Sequence, residues 1–73
     1  MSEKPIEFQL KDQEYIQLNN LLKFLDLVNS GGEAKIRIQN EEVIVDGKIE
    51  LRVRNKLRKG AIIEFDGKFI HVI

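Results

Sequence analysis

The side chains best placed to do chemistry lie in one stretch, Arg52-Val53-Arg54-Asn55-Lys56-Leu57-Arg58-Lys59, which holds five basic residues and no acidic one. In an extended backbone, side chains alternate between faces. Arg52, Arg54, Lys56 and Arg58 are therefore expected on one side, with Val53 and Leu57 anchoring the other. Such a row of cations fits a phosphate backbone, and its bias toward arginine favours that ligand because the guanidinium fork matches phosphate oxygens. The same pattern also suits a sheet edge guarded against pairing with other chains, or a surface that docks on an acidic protein. Periodicity leaves these three open.

Other chemistry is thinly represented. His71 is the single histidine and sits in the final strand pattern, where it reads as an ordinary surface residue. The pairs Asp12/Glu14, Glu41/Glu42 and Glu64/Asp66 have nothing to set them as an acid–base couple. Without cysteine or a second histidine, no metal site and no cysteine nucleophile is expected. Gly31-Gly32 could offer free amides to a phosphate at a helix start. The lysine and glycine spacing of a phosphate-binding loop is nevertheless missing. The expectation is a binding protein, not an enzyme, with no cofactor.

The formal net charge of zero over 73 residues hides an uneven distribution. The first thirty residues carry two more acidic than basic side chains, whereas segment 52–59 alone is +5. A non-specific polyanion binder is usually basic throughout, so binding here must come from a local patch and from shape. With 42% apolar and 33% charged residues, the chain reads as one small globular domain over 1–73, with 1–14 as an N-terminal strand extension. No apolar run approaches the ~20 residues a membrane helix needs. The N-terminus lacks the basic-then-apolar pattern of a leader. A soluble cytoplasmic monomer is expected.

The elements that must position the basic stretch follow from hydrophobic period. Ile6-Glu7-Phe8-Gln9-Leu10 alternates as a short strand, residues 11–14 form a polar turn, and Tyr15-Ile16 extend before a helix. Leu18, Leu21, Leu22, Leu25 and Val28 recur at helical spacing, with Phe24 widening the stripe and Asn19 capping the start. Ser30 and Glu33 fit a capping box opening a second helix that runs to Gln39. Ala34 and Ile38 share one face of it, Lys35 and Gln39 lie beside them, and Arg37 points elsewhere. The two helices are expected to meet at a large angle, joined tightly at Gly31-Gly32. Asp46-Gly47 and Asp66-Gly67 mark two hairpins, with Gly60 making a turn between them. Phe24, Phe65 and Phe69 fit core positions, leaving few aromatics to stack on bases. That disfavours a single-strand platform and favours recognition of folded RNA by backbone and shape.

Three runs in order, Leu18-Asn19-Asn20-Leu21-Leu22-Lys23, Ser30-Gly31-Gly32-Glu33-Ala34-Lys35 and Val43-Ile44-Val45-Asp46-Gly47-Lys48, precede the basic stretch. Over residues 15–73 this resembles the S4 RNA-binding domain, in particular the short stand-alone bacterial proteins of the YaaA/YbcJ type. The resemblance implies an α+β architecture, two packed helices against a small, mostly antiparallel sheet (the alpha-L RNA-binding fold). It implies structured RNA as partner, bound across the helical pair and the adjacent loop. By the same resemblance the RNA-binding positions are Lys23, Ser30, Gly31, Gly32, Lys35 and Arg37, joined by Arg52, Arg54, Lys56, Arg58 and Lys59. The implied role is binding of ribosomal RNA or a ribosomal particle in assembly or translation, through a composite basic surface. A protein–protein adaptor of the same fold, docking on an acidic partner, is the alternative. Two departures stand out. Gly31 replaces an arginine found in many members, and Glu41 or Glu42 and Ala61 occupy places where many have glycine and aspartate.

Overall fold

A computed structural model describes residues 4–73; the first three positions of the expected N-terminal extension lie outside it. The elements are β1 (Ile6–Phe8), β2 (Ile16–Gln17), α1 (Leu18–Phe24), α2 (Gly31–Gln39), β3 (Val43–Val45), β4 (Lys48–Ile49), β5 (Lys56–Leu57), β6 (Ile62–Phe65) and β7 (Lys68–Val72). Five strands form one sheet in the order β1-β7-β6-β3-β4, and β2 pairs with β5 in a second, two-stranded sheet. All pairs are antiparallel except β1 with β7, which are parallel with Ile6 opposite Ile70.

Both Asp-Gly dipeptides make the expected two-residue turns. Such hairpins need positive φ at both central residues, and here φ is 51° and 84° at Asp46-Gly47 and 54° and 77° at Asp66-Gly67. The tight turns fix the strand register, so Val43, Val45, Ile63, Phe65, Ile70 and Val72 all point to one face. Against that face pack Leu18, Leu21 and Leu22 of α1 and Ala34 and Ile38 of α2, all fully buried.

Helix α1 departs from expectation at both ends. Asn19 is not its cap: Gln17 holds that position and offers no side-chain bond. Instead the Leu18 and Asn19 amides donate to the backbone carbonyls of Asn55 and Val53, at 2.9 and 3.1 Å. The buried Asn19 Oδ1 has no protein partner. At the other end the helix stops at Phe24, before Leu25 and Val28. Asp26 turns into the left-handed region (φ 61°) and the Leu27 amide reaches back to the Leu22 carbonyl. The helices are therefore joined by residues 25–30, and Gly31-Gly32 form the first turn of α2 rather than the joint.

Two aromatics expected in the core lie outside it. Phe24 is 71% and Phe69 50% exposed, whereas Phe65 and Phe8 are buried. At 100° per residue Phe24 sits about 110° from the centre of the Leu18/Leu21/Leu22/Leu25 stripe. Phe69 is out of phase with Ile70 and Val72 on β7, so the pleat turns it outward. The scarcity of exposed aromatics on which shape recognition rested is thus removed.

At α2 the Ser30 hydroxyl accepts the Glu33 amide as expected, but the Glu33 carboxylate reaches the Asn29 amide, one residue before the usual capping-box partner.

Candidate nucleic-acid interface

The basic stretch is not one extended strand. Asn55 N donates to Arg52 O, closing a turn at Val53-Arg54, and only Lys56 and Leu57 join a sheet. The alternation of faces survives the bend. Arg52, Arg54, Lys56 and Arg58 are exposed, Val53 packs against the core and Leu57 is buried. The turn is anchored from several sides. Its 53 and 55 carbonyls take the first amides of α1, Leu57 pairs with Ile16, and Gly60 N donates to Val72 O at 2.7 Å.

Pairing of β2 with β5 brings Tyr15 alongside the cations. Lys56 Nζ lies 5.0 Å and the Arg58 guanidinium 5.7 Å from its ring centroid. One ring thus attracts two cations to neighbouring positions through its negative face. On the other side, an open groove of about 650 Å³ separates this segment from the β3–β4 hairpin. Lys48, Arg52, Lys56, Arg58 and Lys59 border it, with Asp46 and Glu50 as the acidic members. Neither Tyr15 nor Lys48 was read as part of this surface: Tyr15 is placed by the β2–β5 pairing, distant in sequence, and Lys48, though set by the local Asp46-Gly47 hairpin, meets the basic segment only across the groove.

Glu50 organises the near wall. Its carboxylate accepts from Arg52 Nε (2.9 Å), Arg52 Nη2 (3.2 Å), the Arg52 amide (3.0 Å) and Asn55 Nδ2 (3.1 Å). Arg52's hydrogen bonds hold the Glu50 carboxyl below the usual glutamate range and raise Arg52 in return.

The helix-derived residues divide. Lys23, in the last turn of α1, lies against the start of α2: a Cβ placed on Gly31 would sit 3.9 Å from Lys23 Cδ, an ordinary contact with a flexible stem. A Cβ therefore fits at Gly31 without displacing backbone. Ser30 is occupied in capping, Gly32 and Lys35 are exposed, and Lys35 is one turn from the α2 start. Arg37 faces another way. Its Nε bonds Glu42 at 2.6 Å, its Nη1 lies 3.5 Å from Glu33, and its guanidinium covers the Phe65 ring at 4.7 Å. The Glu42 carboxyl is held low by the Asn40 amide and then by Arg37, and Arg37 is raised chiefly by Glu42. Phe65 pairs with Val43, whereas the groove begins at Val45, so Arg37 and the groove lie toward opposite ends of β3. Among the described residues, the ion pairs involve only Arg37 and Arg52; Lys23, Lys35, Arg54, Lys56, Arg58 and Lys59 have none. No metal-ligating cluster occurs among them either, and no helix is long and apolar enough to cross a membrane.

Residues 8–73 match the model of the S4 domain. The chain belongs to the S4 domain family. Among its relatives is YbcJ of Escherichia coli (strain K12), named as a candidate RNA-binding protein, which is 36% identical over 66 residues covering 90% of this chain and 94% of YbcJ. RlbA of Bacillus subtilis (strain 168), named as a candidate ribosome maturation protein, is 38% identical over 56 residues, covering 77% of this chain and 79% of RlbA. The solution structure of E. coli YbcJ, described as having an αL motif involved in RNA binding, superposes with a TM-score of 0.74 at 33% identity. That match spans all of this chain and 92% of YbcJ. The expected architecture of two helices on a small sheet is that of the S4 domain.

Proposed function

We propose that this S4 domain binds structured RNA without catalysing a reaction, acting as a cytoplasmic monomer on ribosomal RNA during ribosome assembly or translation. The observation that carries this reading is the set of exposed cations, Arg54, Lys56, Arg58 and Lys59, without ion pairs among the described residues, with Leu57 buried beneath the segment and Tyr15 alongside Lys56 and Arg58. Lys23 and Lys35, with the Ser30-Gly31-Gly32 start of α2, extend the surface along the helical pair. Affinity comes from neutralising phosphates, and selectivity from the bent shape of the surface. The names borne by YbcJ and RlbA support RNA and the ribosome as the setting. Arg37 contributes by fastening α2 to the sheet, because its donors already face Glu33 and Glu42.

The test is titration of a structured ribosomal RNA fragment, duplex DNA and heparin across a salt series. RNA is expected to bind tightest, and its affinity to fall steadily with salt as counterions are released. Replacing Arg54 and Arg58 together by glutamate should weaken RNA binding at least about tenfold, because two phosphate contacts become repulsions. Unchanged affinity would displace the site from this segment. A second reading, an adaptor docking on protein, is favoured by the outward sheet face, where Ile49, Ile62 and Phe69 are half exposed. Failure to bind any structured RNA would select it.

A further inference from the structure

A carboxylate beside a polyanion site is expected to oppose binding. Glu50 lines the basic groove, yet its side chain is only 12% exposed while its partner Arg52 is 76% exposed. Both carboxylate oxygens are occupied: Oε2 accepts the Arg52 amide and Nε, and Oε1 accepts Arg52 Nη2 and Asn55 Nδ2. Asn55 in turn receives the first amide of α1 on its carbonyl, and Val53 receives the second. Arg54 stands between these two pinned residues, exposed and without an ion pair among the described residues.

We infer that Glu50 is a positioning residue for RNA binding: it clamps the Arg52–Asn55 turn onto the start of α1 and so presents Arg54 to phosphate. The inference rests on the RNA-binding reading above. An exposed arginine on a free loop must be ordered when the ligand arrives, which weakens binding; one on a clamped turn is ordered in advance. Arg52 belongs to the clamp. Its fork is bidentate on Glu50 in the way it would engage a phosphate, so it is occupied before RNA binds.

Charge and positioning make opposite predictions for Glu50→Gln. By charge alone, removing an anion and releasing Arg52 tightens binding, and the salt dependence steepens by about one phosphate's share. A glutamine, however, cannot accept at both ends of its amide, so the Arg52 fork is broken in either orientation, and in one of them the Asn55 bond is lost as well. Positioning therefore predicts weaker binding, by roughly three- to tenfold.

The decisive experiment is a double-mutant cycle on the full chain, with the same ribosomal RNA fragment and thermal melts of every variant. E50Q should weaken binding in the wild-type background but change it less than about twofold in the Arg54→Ala background, because the residue it positions is gone. Equal or tighter binding by E50Q, or equal losses in both backgrounds, would overturn the inference. Should E50Q fail to fold, Asn55→Ala replaces it in the cycle, since it breaks only the Glu50–Asn55 link and keeps the ion pair. The wild-type titration separates the two levels. RNA binding by the wild type with a failed cycle leaves the proposed function standing, whereas no binding by the wild type removes both.

Discussion

Arg37 and Arg58 are both arginines, both beside an aromatic ring, yet their surroundings assign them opposite uses. Arg37 lies over Phe65, a core residue, with its Nε hydrogen-bonded to Glu42 and its Nη1 3.5 Å from Glu33. Arg58 lies beside Tyr15, which is half-buried, and shares that ring with Lys56, with no carboxylate paired to either among the described residues. The first arrangement ties a partly buried cation to carboxylates of its own fold; the second holds cations close together and leaves their donors for an outside anion. A cation's availability is thus decided by whether a carboxylate faces it, not by its place in a basic run.

The contrast can be broken in three ways. The largest expected effect is at Leu57, whose buried side chain supports the free-cation segment. Leu57→Ala should cost about 2–5 kcal/mol of stability in denaturant melts, and any protein that remains folded should lose RNA affinity. Retained affinity would mean the cations do not need their apolar anchor.

The second effect is at Arg37. Arg37→Gln should lower the thermal midpoint, at about 4–8 °C per kcal/mol lost in a domain of this size, while RNA affinity stays within about twofold. A drop in affinity matching that of Arg58 variants would erase the contrast. The same variant has a pH signature. The Glu42 carboxyl is depressed in the folded state, so its contribution to stability is present above the usual glutamate range and disappears as pH falls through its lowered value. Arg37→Gln should therefore flatten the acid side of the stability profile. Part of the slope should persist, because Asn40 also holds Glu42 low and Glu50 titrates in the same direction.

The smallest effect concerns how Glu42 reaches Arg37. Glu41 adopts φ 63° after α2, and the Glu42 amide returns to the Arg37 carbonyl, the helix-ending geometry that favours glycine. Glu41→Gly should stabilise the fold by about 0.5–1 kcal/mol and leave RNA binding to the basic segment intact. A loss of stability would show that Glu41 contributes a favourable contact that outweighs its backbone strain. Position 41 requires a left-handed turn, and glutamate tolerates it at a cost.

Local chemistry was readable and distant pairing was not. Asp46-Gly47, Asp66-Gly67 and Ser30 act within a few residues of themselves, and each does what its type implies. Phe69 was misread as core, although its being out of step with Ile70 and Val72 already turns it outward. Asn19 misled because a capping side chain competes with any carbonyl nearby, and the carbonyls of Val53 and Asn55 arrive from more than thirty positions away. The parallel pairing of β1 with β7 and the position of Tyr15 are hidden for the same reason.

For the proposed binding surface, the sequence alone determined its charge, its Val53 and Leu57 anchors and the resemblance carried by Ser30-Gly31-Gly32 and Lys35. These depend on residue type and on spacings of a few residues. Which cations remain available was decided only by the tertiary structure. Hydrogen bonding is short-ranged and directional, so the fold had to bring Glu42 to Arg37, Glu50 to Arg52 and Tyr15 to Lys56 and Arg58 before donors in use could be told from donors left open.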